Sequence, residues 1–236
     1  MKPPSFEYRR AASVDEALDL LAAGDGDAKA LAGGQSLVAL MNLRLARPVT
    51  LVDIASIAEL RGVSSNGSLR IGALTTFTEL EQDPTVAQAA PLLAEALPYI
   101  GHPAIRNRGT AGGSVAHADP AAELPVVLSA LDATVTVRSR TGERTIPARE
   151  FFRGFLMTVQ RAARHHALDA VLLRFASLRG DPGAQSKRCS QCHRYGPYPT
   201  RRSAFPDNPE GDRDRDWKQC HEHDWEVDDE RVQWYA

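Results

Sequence analysis

Apolar residues first recur at helical spacing at Val14, Ala17, Leu18 and Leu21, which predicts an amphipathic helix. Ser13 stands as its N-cap with Glu16 at N3, the pairing of a capping box, and Gly24 is placed to end it at C′. Beyond the polar Gly24-Asp25-Gly26-Asp27, the run Ala28-Lys29-Ala30-Leu31-Ala32 reads as a short buried strand. Leu37, Leu40, Met41 and Leu45 form a second helical stripe that Pro48 stops. Leu51-Val52-Asp53-Ile54 reads as the next strand, with Asp53 capping the turn that follows. Strand and helix in alternation predict a small α/β lobe with short parallel strands. A purely helical hairpin is the competing reading of the same stretch.

From Leu69 the period changes. Leu69-Arg70-Ile71-Gly72-Ala73 reads as a strand, and Thr76-Phe77-Thr78-Glu79 is a second capping box. Pro91 opens an apolar helix through Leu92, Leu93, Ala96 and Leu97, with Pro98 near its end. Asp119 followed by Pro120 reads as an N-cap and first helical residue, and Leu124, Val127, Leu128 and Leu131 make that helix's buried stripe. Ala133-Thr134-Val135-Thr136-Val137-Arg138 then alternates with period two, turns at Thr141-Gly142 and returns as Arg144-Thr145-Ile146, an antiparallel hairpin. The aromatic-rich stretch from Glu150 to Met157 reads as core packing beneath that hairpin. At Val159 the regular periods give way to Pro, Gly and charge-rich segments, so residues 159–236 read as an irregular extension outside the sheet, with Leu168 to Leu178 able to form one amphipathic helix.

Composition adds exclusions. With 236 residues, 43% of them hydrophobic and 25% charged, the chain can bury a substantial core, and a net charge of −2 supplies no general basic field for nucleic acid. The first residues carry no apolar signal core and no apolar run of spanning length exists, so a cytoplasmic location without a membrane span is expected. All three cysteines fall late in the chain, with no spacing suited to a disulfide framework or an iron–sulfur cluster.

Two glycine-paired loops carry the candidate chemistry. In Thr110-Ala111-Gly112-Gly113-Ser114, glycines without Cβ can take positive φ and bring backbone N–H groups against a phosphate, with Thr110 and Ser114 adding hydroxyl donors. Ala32-Gly33-Gly34-Gln35-Ser36 repeats the device upstream, again after a strand-like run and before a helical one. Two such loops suit the two phosphates of a dinucleotide, and neither has the spacing of a Rossmann fingerprint or a P-loop.

These loops, together with Ser5-Phe6-Glu7-Tyr8, Leu51-Val52-Asp53-Ile54, Ile71-Gly72-Ala73-Leu74-Thr75-Thr76, Ile105-Arg106-Asn107-Arg108-Gly109 and Asp119-Pro120-Ala121-Ala122-Glu123-Leu124-Pro125, resemble the FAD-binding medium subunit of molybdenum hydroxylases, the group that includes carbon monoxide and xanthine dehydrogenases. The resemblance covers about residues 1 to 158 with the motifs in order. It implies a two-lobed α+β FAD-binding domain, with a small α/β lobe over about residues 1–54 and a larger lobe with a mixed or antiparallel sheet over about 55–158. Ala32, Gly33, Gly34, Gln35 and Ser36 would hold the FAD diphosphate from the small lobe, and Thr110, Ala111, Gly112, Gly113 and Ser114 from the larger. Glu123 would accept a hydrogen bond at the ribose, and Ile100 would lie near the flavin ring. Electrons would arrive from iron–sulfur clusters on one partner subunit, having left substrate at a molybdenum cofactor on another, and pass to an external acceptor; the redox chemistry is the flavin's.

Some flavoproteins of related fold attach FAD through histidine. Here the first glycine pair is followed by Gln35 and Ser36, so non-covalent FAD is expected, with His102 and His117 in structural roles. From Val159 the resemblance ends, and residues 159–236 stand where relatives have a further C-terminal domain. Cys189, Cys192, Cys220 and His223 have the residue types of a tetrahedral zinc set, separated by a longer stretch than common zinc ribbons use. Two other readings therefore accompany the electron-transfer subunit: a flavin-binding remnant that no longer assembles, and a fusion whose tail is a zinc-bearing interaction module.

Overall fold

A computed structural model of the chain describes residues 2–159 and 170–174, all within one compact unit. Two buried clusters divide it into lobes. The smaller contains β1 (Glu7–Arg10), α1 (Val14–Ala23), β2 (Ala28–Leu31), α2 (Leu37–Asn42) and β3 (Thr50–Asp53). Its three strands are parallel in the order β1-β3-β2, as helical crossovers between successive strands require. Val14, Ala17, Leu18 and Leu21 of α1 pack on Ala28, Val52 and Ile54, and the cluster continues into Ile57, Leu60 and Leu74. The α/β alternation therefore holds, and the helical hairpin does not.

Local signals explain most boundaries here. Ser13 Oγ accepts from the Glu16 N–H at 3.2 Å, but the Glu16 carboxylate takes the N–H of Ala12 at 2.7 Å, so the predicted box closes one residue early. Gly24 is the C-cap with φ −81°, and positive φ falls instead on Asp25 and Gly26. Gly24 is small for another reason: a Cβ there would stand 2.4 Å from that of Ala28. The second helix ends at Asn42, short of its predicted stripe, leaving Leu45 74% exposed. β1 escaped the sequence reading because all four of its residues are exposed and carry no apolar alternation.

The larger lobe runs through β4 (Val63–Ser65), β5 (Leu69–Ile71), α3 (Phe77–Gln82), α4 (Pro84–Ala89), α5 (Pro91–Ala96), α6 (Pro103–Arg106), α7 (Ala111–His117), α8 (Glu123–Ala130), β6 (Thr134–Ser139), β7 (Gly142–Pro147), α9 (Ala148–Phe151), β8 (Phe152–Gly154), β9 (Met157–Thr158) and β10 (Ala170–Arg174). Thr76 and Glu79 form a complete capping box at α3, and Pro91 opens α5. β6 and β7 pair antiparallel from Thr134↔Pro147 to Ser139↔Gly142, the predicted hairpin. Leu93, Leu97, Val115, Leu124, Leu128, Val135 and Phe151 are among the residues of its core, so Phe151 packs as expected whereas Phe155 is exposed.

Two expectations need correction. The helix expected from Pro120 starts at Glu123 with Ala122 as N-cap, because the Asp119 carboxylate instead accepts from the Ala121 N–H at 2.9 Å and makes a separate turn. Residues 170–174, expected in an extension or a helix outside the sheet, form the central strand of five in the antiparallel order β4-β5-β10-β6-β7. β10 pairs Leu173 with Ile71 on one side and runs from Ala170↔Arg138 to Arg174↔Thr134 on the other.

Candidate functional site

The segment 72–76, just after β5, joins the two lobes at the site. Leu74 sits in the small-lobe cluster and donates its N–H to Leu60 O at 2.8 Å, while Ala73 belongs to the large-lobe cluster. The first turn of α7 is laced onto this segment. Ala111 N–H donates to Thr75 O at 3.0 Å, Gly112 N–H to Ala73 O at 2.8 Å, and Gly113 N–H to Thr110 Oγ1 at 3.2 Å. Gly112 is required by that closeness, since a Cβ there would lie 2.6 Å from Ala73 Cβ and 2.8 Å from its carbonyl oxygen.

This corrects the reading of Gly112-Gly113 as a positive-φ turn. Both lie in a helix, neither has positive φ, and their amides are engaged inside the protein. Sequence favoured a turn because a glycine pair is a poor helix former. The N-cap hydroxyl of Thr110 and the tight seat on Ala73 overrule that preference.

The upstream loop does contain a positive-φ glycine. Gly34 has φ +74°, and among the described residues the N–H groups of Gly33, Gly34, Gln35 and Ser36 meet no acceptor. Gly33 presses on the other lobe: a Cβ there would stand 2.0 Å from the carbonyl oxygen of Arg108 and 3.2 Å from Gly109 Cα. Only glycine permits that approach.

Both loops line a single cleft of about 630 Å³, a volume suited to a cofactor-sized ligand. On its wall stand Ala32, Gly33, Gly34, Gln35, Ser36, Ile100, Thr110, Gly112, Gly113 and Ser114. Ile100 is 8% exposed and offers an apolar surface. Ala111 is fully buried behind the wall, and Glu123 is not on it, although its neighbour Ala122 is. Sequence reasoning missed the α1 face of Ala17, Leu18, Leu21 and Ala22 and the residues Lys29 and Arg140, and it gave His117 a structural role and Asp119 a capping role although both line the cleft. The apolar face was visible as a helical stripe but was read as core alone. Lys29 and Arg140 lie far apart in sequence, and no local pattern joins them.

At the end of β3, Asp53 is buried and anchored on several sides. Burial pushes its carboxyl up, but hydrogen bonds from the Tyr8 hydroxyl, from the Ala55 N–H at 2.8 Å and from Arg10 at 3.3 Å prevail and hold it below the ordinary carboxylate range. The network joins β1 to the exit of β3, where Ile54 turns onto the cleft wall. Among the described residues no group of three His, Cys, Asp or Glu side chains could hold a metal, and no helix is long and apolar enough to cross a membrane. Cys189, Cys192, Cys220 and His223 lie outside the described residues.

A family model described as the FAD binding domain in molybdopterin dehydrogenase matches residues 4–171. The alpha subunit of the 6-hydroxypseudooxynicotine dehydrogenase complex of Paenarthrobacter nicotinovorans is 57% identical over 151 residues, 64% of this chain and 51% of that protein. The carbon monoxide dehydrogenase medium chain of Hydrogenophaga pseudoflava is 46% identical over 160 residues, 67% of this chain and 56% of that one. Among solved structures, carbon monoxide dehydrogenase from Hydrogenophaga pseudoflava lacking the Mo-pyranopterin moiety of its cofactor matches with a TM-score of 0.71 at 41% identity, over 76% of this chain and 62% of the other. Quinoline 2-oxidoreductase from Pseudomonas putida 86 gives 0.67 at 42%, over 74% and 59%. The chain spans about half the length of the curated relatives it matches.

Proposed function

The chain belongs to the family of FAD binding domains in molybdopterin dehydrogenases, and from that premise we propose that its cleft carries FAD as the flavin subunit of a molybdenum hydroxylase complex. The observation that carries the proposal is the meeting of the two glycine loops on one cleft, with Gly33 seated against the Arg108 carbonyl. FAD fits the residues present: four backbone N–H groups without internal acceptors line the wall where an anionic diphosphate needs donors, and glycine keeps the wall free of Cβ atoms.

In this reading the amides of Gly33, Gly34, Gln35 and Ser36 donate to the diphosphate. Thr110 and Ser114 offer hydroxyls from the facing lobe, while Gly112 and Gly113, their amides engaged, supply close approach and little donation. Ile100 gives an apolar surface for the ring system and excludes water from it. Glu123, one residue beyond the cleft-lining Ala122, is the acceptor proposed for the ribose hydroxyls. FAD in this cleft supplies the redox chemistry, which no side chain here can provide. The chain's place in the complex lies between an iron–sulfur subunit, itself fed from a molybdenum-cofactor subunit, and an external electron acceptor.

The test is the absorbance spectrum of the purified full chain after incubation with FAD and removal of free cofactor. Stoichiometric flavin absorbance, released into the supernatant by acid, supports non-covalent FAD in this cleft. Absence of flavin, or flavin that stays with the acid-precipitated polypeptide, contradicts the reading.

A further inference from the structure

Two ion pairs cross from the small lobe to the large one at one end of the cleft. Arg138 Nη2 meets Asp15 Oδ1 at 2.9 Å, and Arg140 Nε meets Asp19 Oδ1 at 3.2 Å. Both acids project from α1, and both arginines flank Ser139 where β6 ends. These four side chains line a second, shallower recess that shares Leu18, Ser139 and Arg140 with the main cleft. The hairpin end and the first turns of α1 thus meet from opposite lobes at this end of the cleft, joined by paired charges.

Each pair is more than a third exposed on both partners, so neither adds much to folding stability. Their position gives them a different consequence. The α1 wall and the Ser139–Arg140 wall must part for a ligand lying between them to leave at this end, and both pairs resist that parting. We infer that Arg138–Asp15 and Arg140–Asp19 act as a latch, positioning α1 against the β6 end and slowing escape of the bound dinucleotide in a salt-sensitive way. The inference rests on the proposal that the cleft holds FAD. Arg140 lines the main cleft and could touch the ligand itself; Arg138 lines only the recess, so Arg138–Asp15 provides the cleaner test.

The experiment follows release of FAD from the loaded full chain by recovery of flavin fluorescence on dilution, in about 0.05 M and about 1 M NaCl, where the screening length falls from over 10 Å to about 3 Å. Wild-type release is expected to quicken at high salt. R138A is expected to release FAD about two- to fivefold faster at low salt, the span of one exposed pair, and to lose part of the salt response. The charge swap D15R/R138D should restore slow, salt-sensitive release, a rescue that a merely structural arginine would not give. The apo melting temperatures of all three proteins are expected to agree. Equal release rates and salt responses in wild type and R138A, or failure of the swap to rescue, would overturn the latch while leaving FAD binding intact. Failure of the wild-type chain to take up FAD would overturn the functional reading and the latch with it.

Discussion

Substituting Gly33 by alanine tests the contact on which the cleft depends. The new Cβ would meet the Arg108 carbonyl oxygen at 2.0 Å, its carbon at 2.8 Å and Gly109 Cα at 3.2 Å, all backbone atoms. A carbon settles against another atom only near 3.5 Å or beyond, so the two loops must part by about 1.5 Å. Overpacking of this kind costs about 1–3 kcal/mol. The apo protein can relieve the strain by separating the loops, whereas FAD held as proposed needs both. The strain therefore appears mainly in binding, as about a 5- to 150-fold loss of FAD affinity at tenfold per 1.4 kcal/mol. Fluorescence titration with FAD, alongside thermal melts with and without the cofactor, reads both quantities. Gly67→Ala is the control: its φ is +73° with open space around it and it stands off the cleft wall, so it should cost stability but no affinity. A Gly33→Ala protein that binds FAD like wild type would refute the claim that the loops must touch.

Other expectations follow from the same geometry. Gly112→Ala, whose Cβ meets the Ala73 backbone, is expected to lower the melting temperature more than Gly113→Ala, whose nearest neighbour is the Thr110 hydroxyl at 2.8 Å. Removing the Ser114 hydroxyl should weaken FAD binding by about 0.5–1.5 kcal/mol with little change in the apo melt, if that hydroxyl donates to the ligand. Because the folded-state pKa of Asp53 is depressed, its contribution to stability is present above the unfolded value of about 3.9 and is lost as pH falls through the lower folded value. Asp53→Asn should therefore destabilise the protein at neutral pH, by about 1.5–3 kcal/mol for hydrogen bonds to a charged group, and flatten the acid limb of a stability–pH curve. Deleting residues 170–174 removes the strand between β5 and β6, and aggregation of the product in expression trials is the expected outcome.

Much of this arrangement was legible in the sequence where its cause was local. Ser13, Thr76 and Pro91 mark helix starts because cap chemistry lies within three residues of the boundary. The buried face of α1 and the β6–β7 hairpin follow from spacing alone. What escaped has distant causes. Gly112 and Gly113 signal a turn by propensity, yet the seat on Ala73 and the hydroxyl of Thr110 place them in a helix. Asp119 offers its carboxylate to the Ala121 N–H, a choice that moves the next helix start to Glu123. The run from Ala170 to Arg174 carries no period-two alternation, and the partners that make it a strand lie about 35 and 100 residues upstream. Of the two glycine loops, the sequence shows the residues but not which of their amides already have acceptors, which only the fold reveals.

The most direct measurement is a crystal structure of the full chain loaded with FAD. The diphosphate oxygens should lie within about 3.2 Å of the N–H groups of residues 33–36, with the Thr110 and Ser114 hydroxyls facing them from the other lobe. A diphosphate bound away from residues 33–36, or FAD seated outside the cleft that both loops line, would contradict the account.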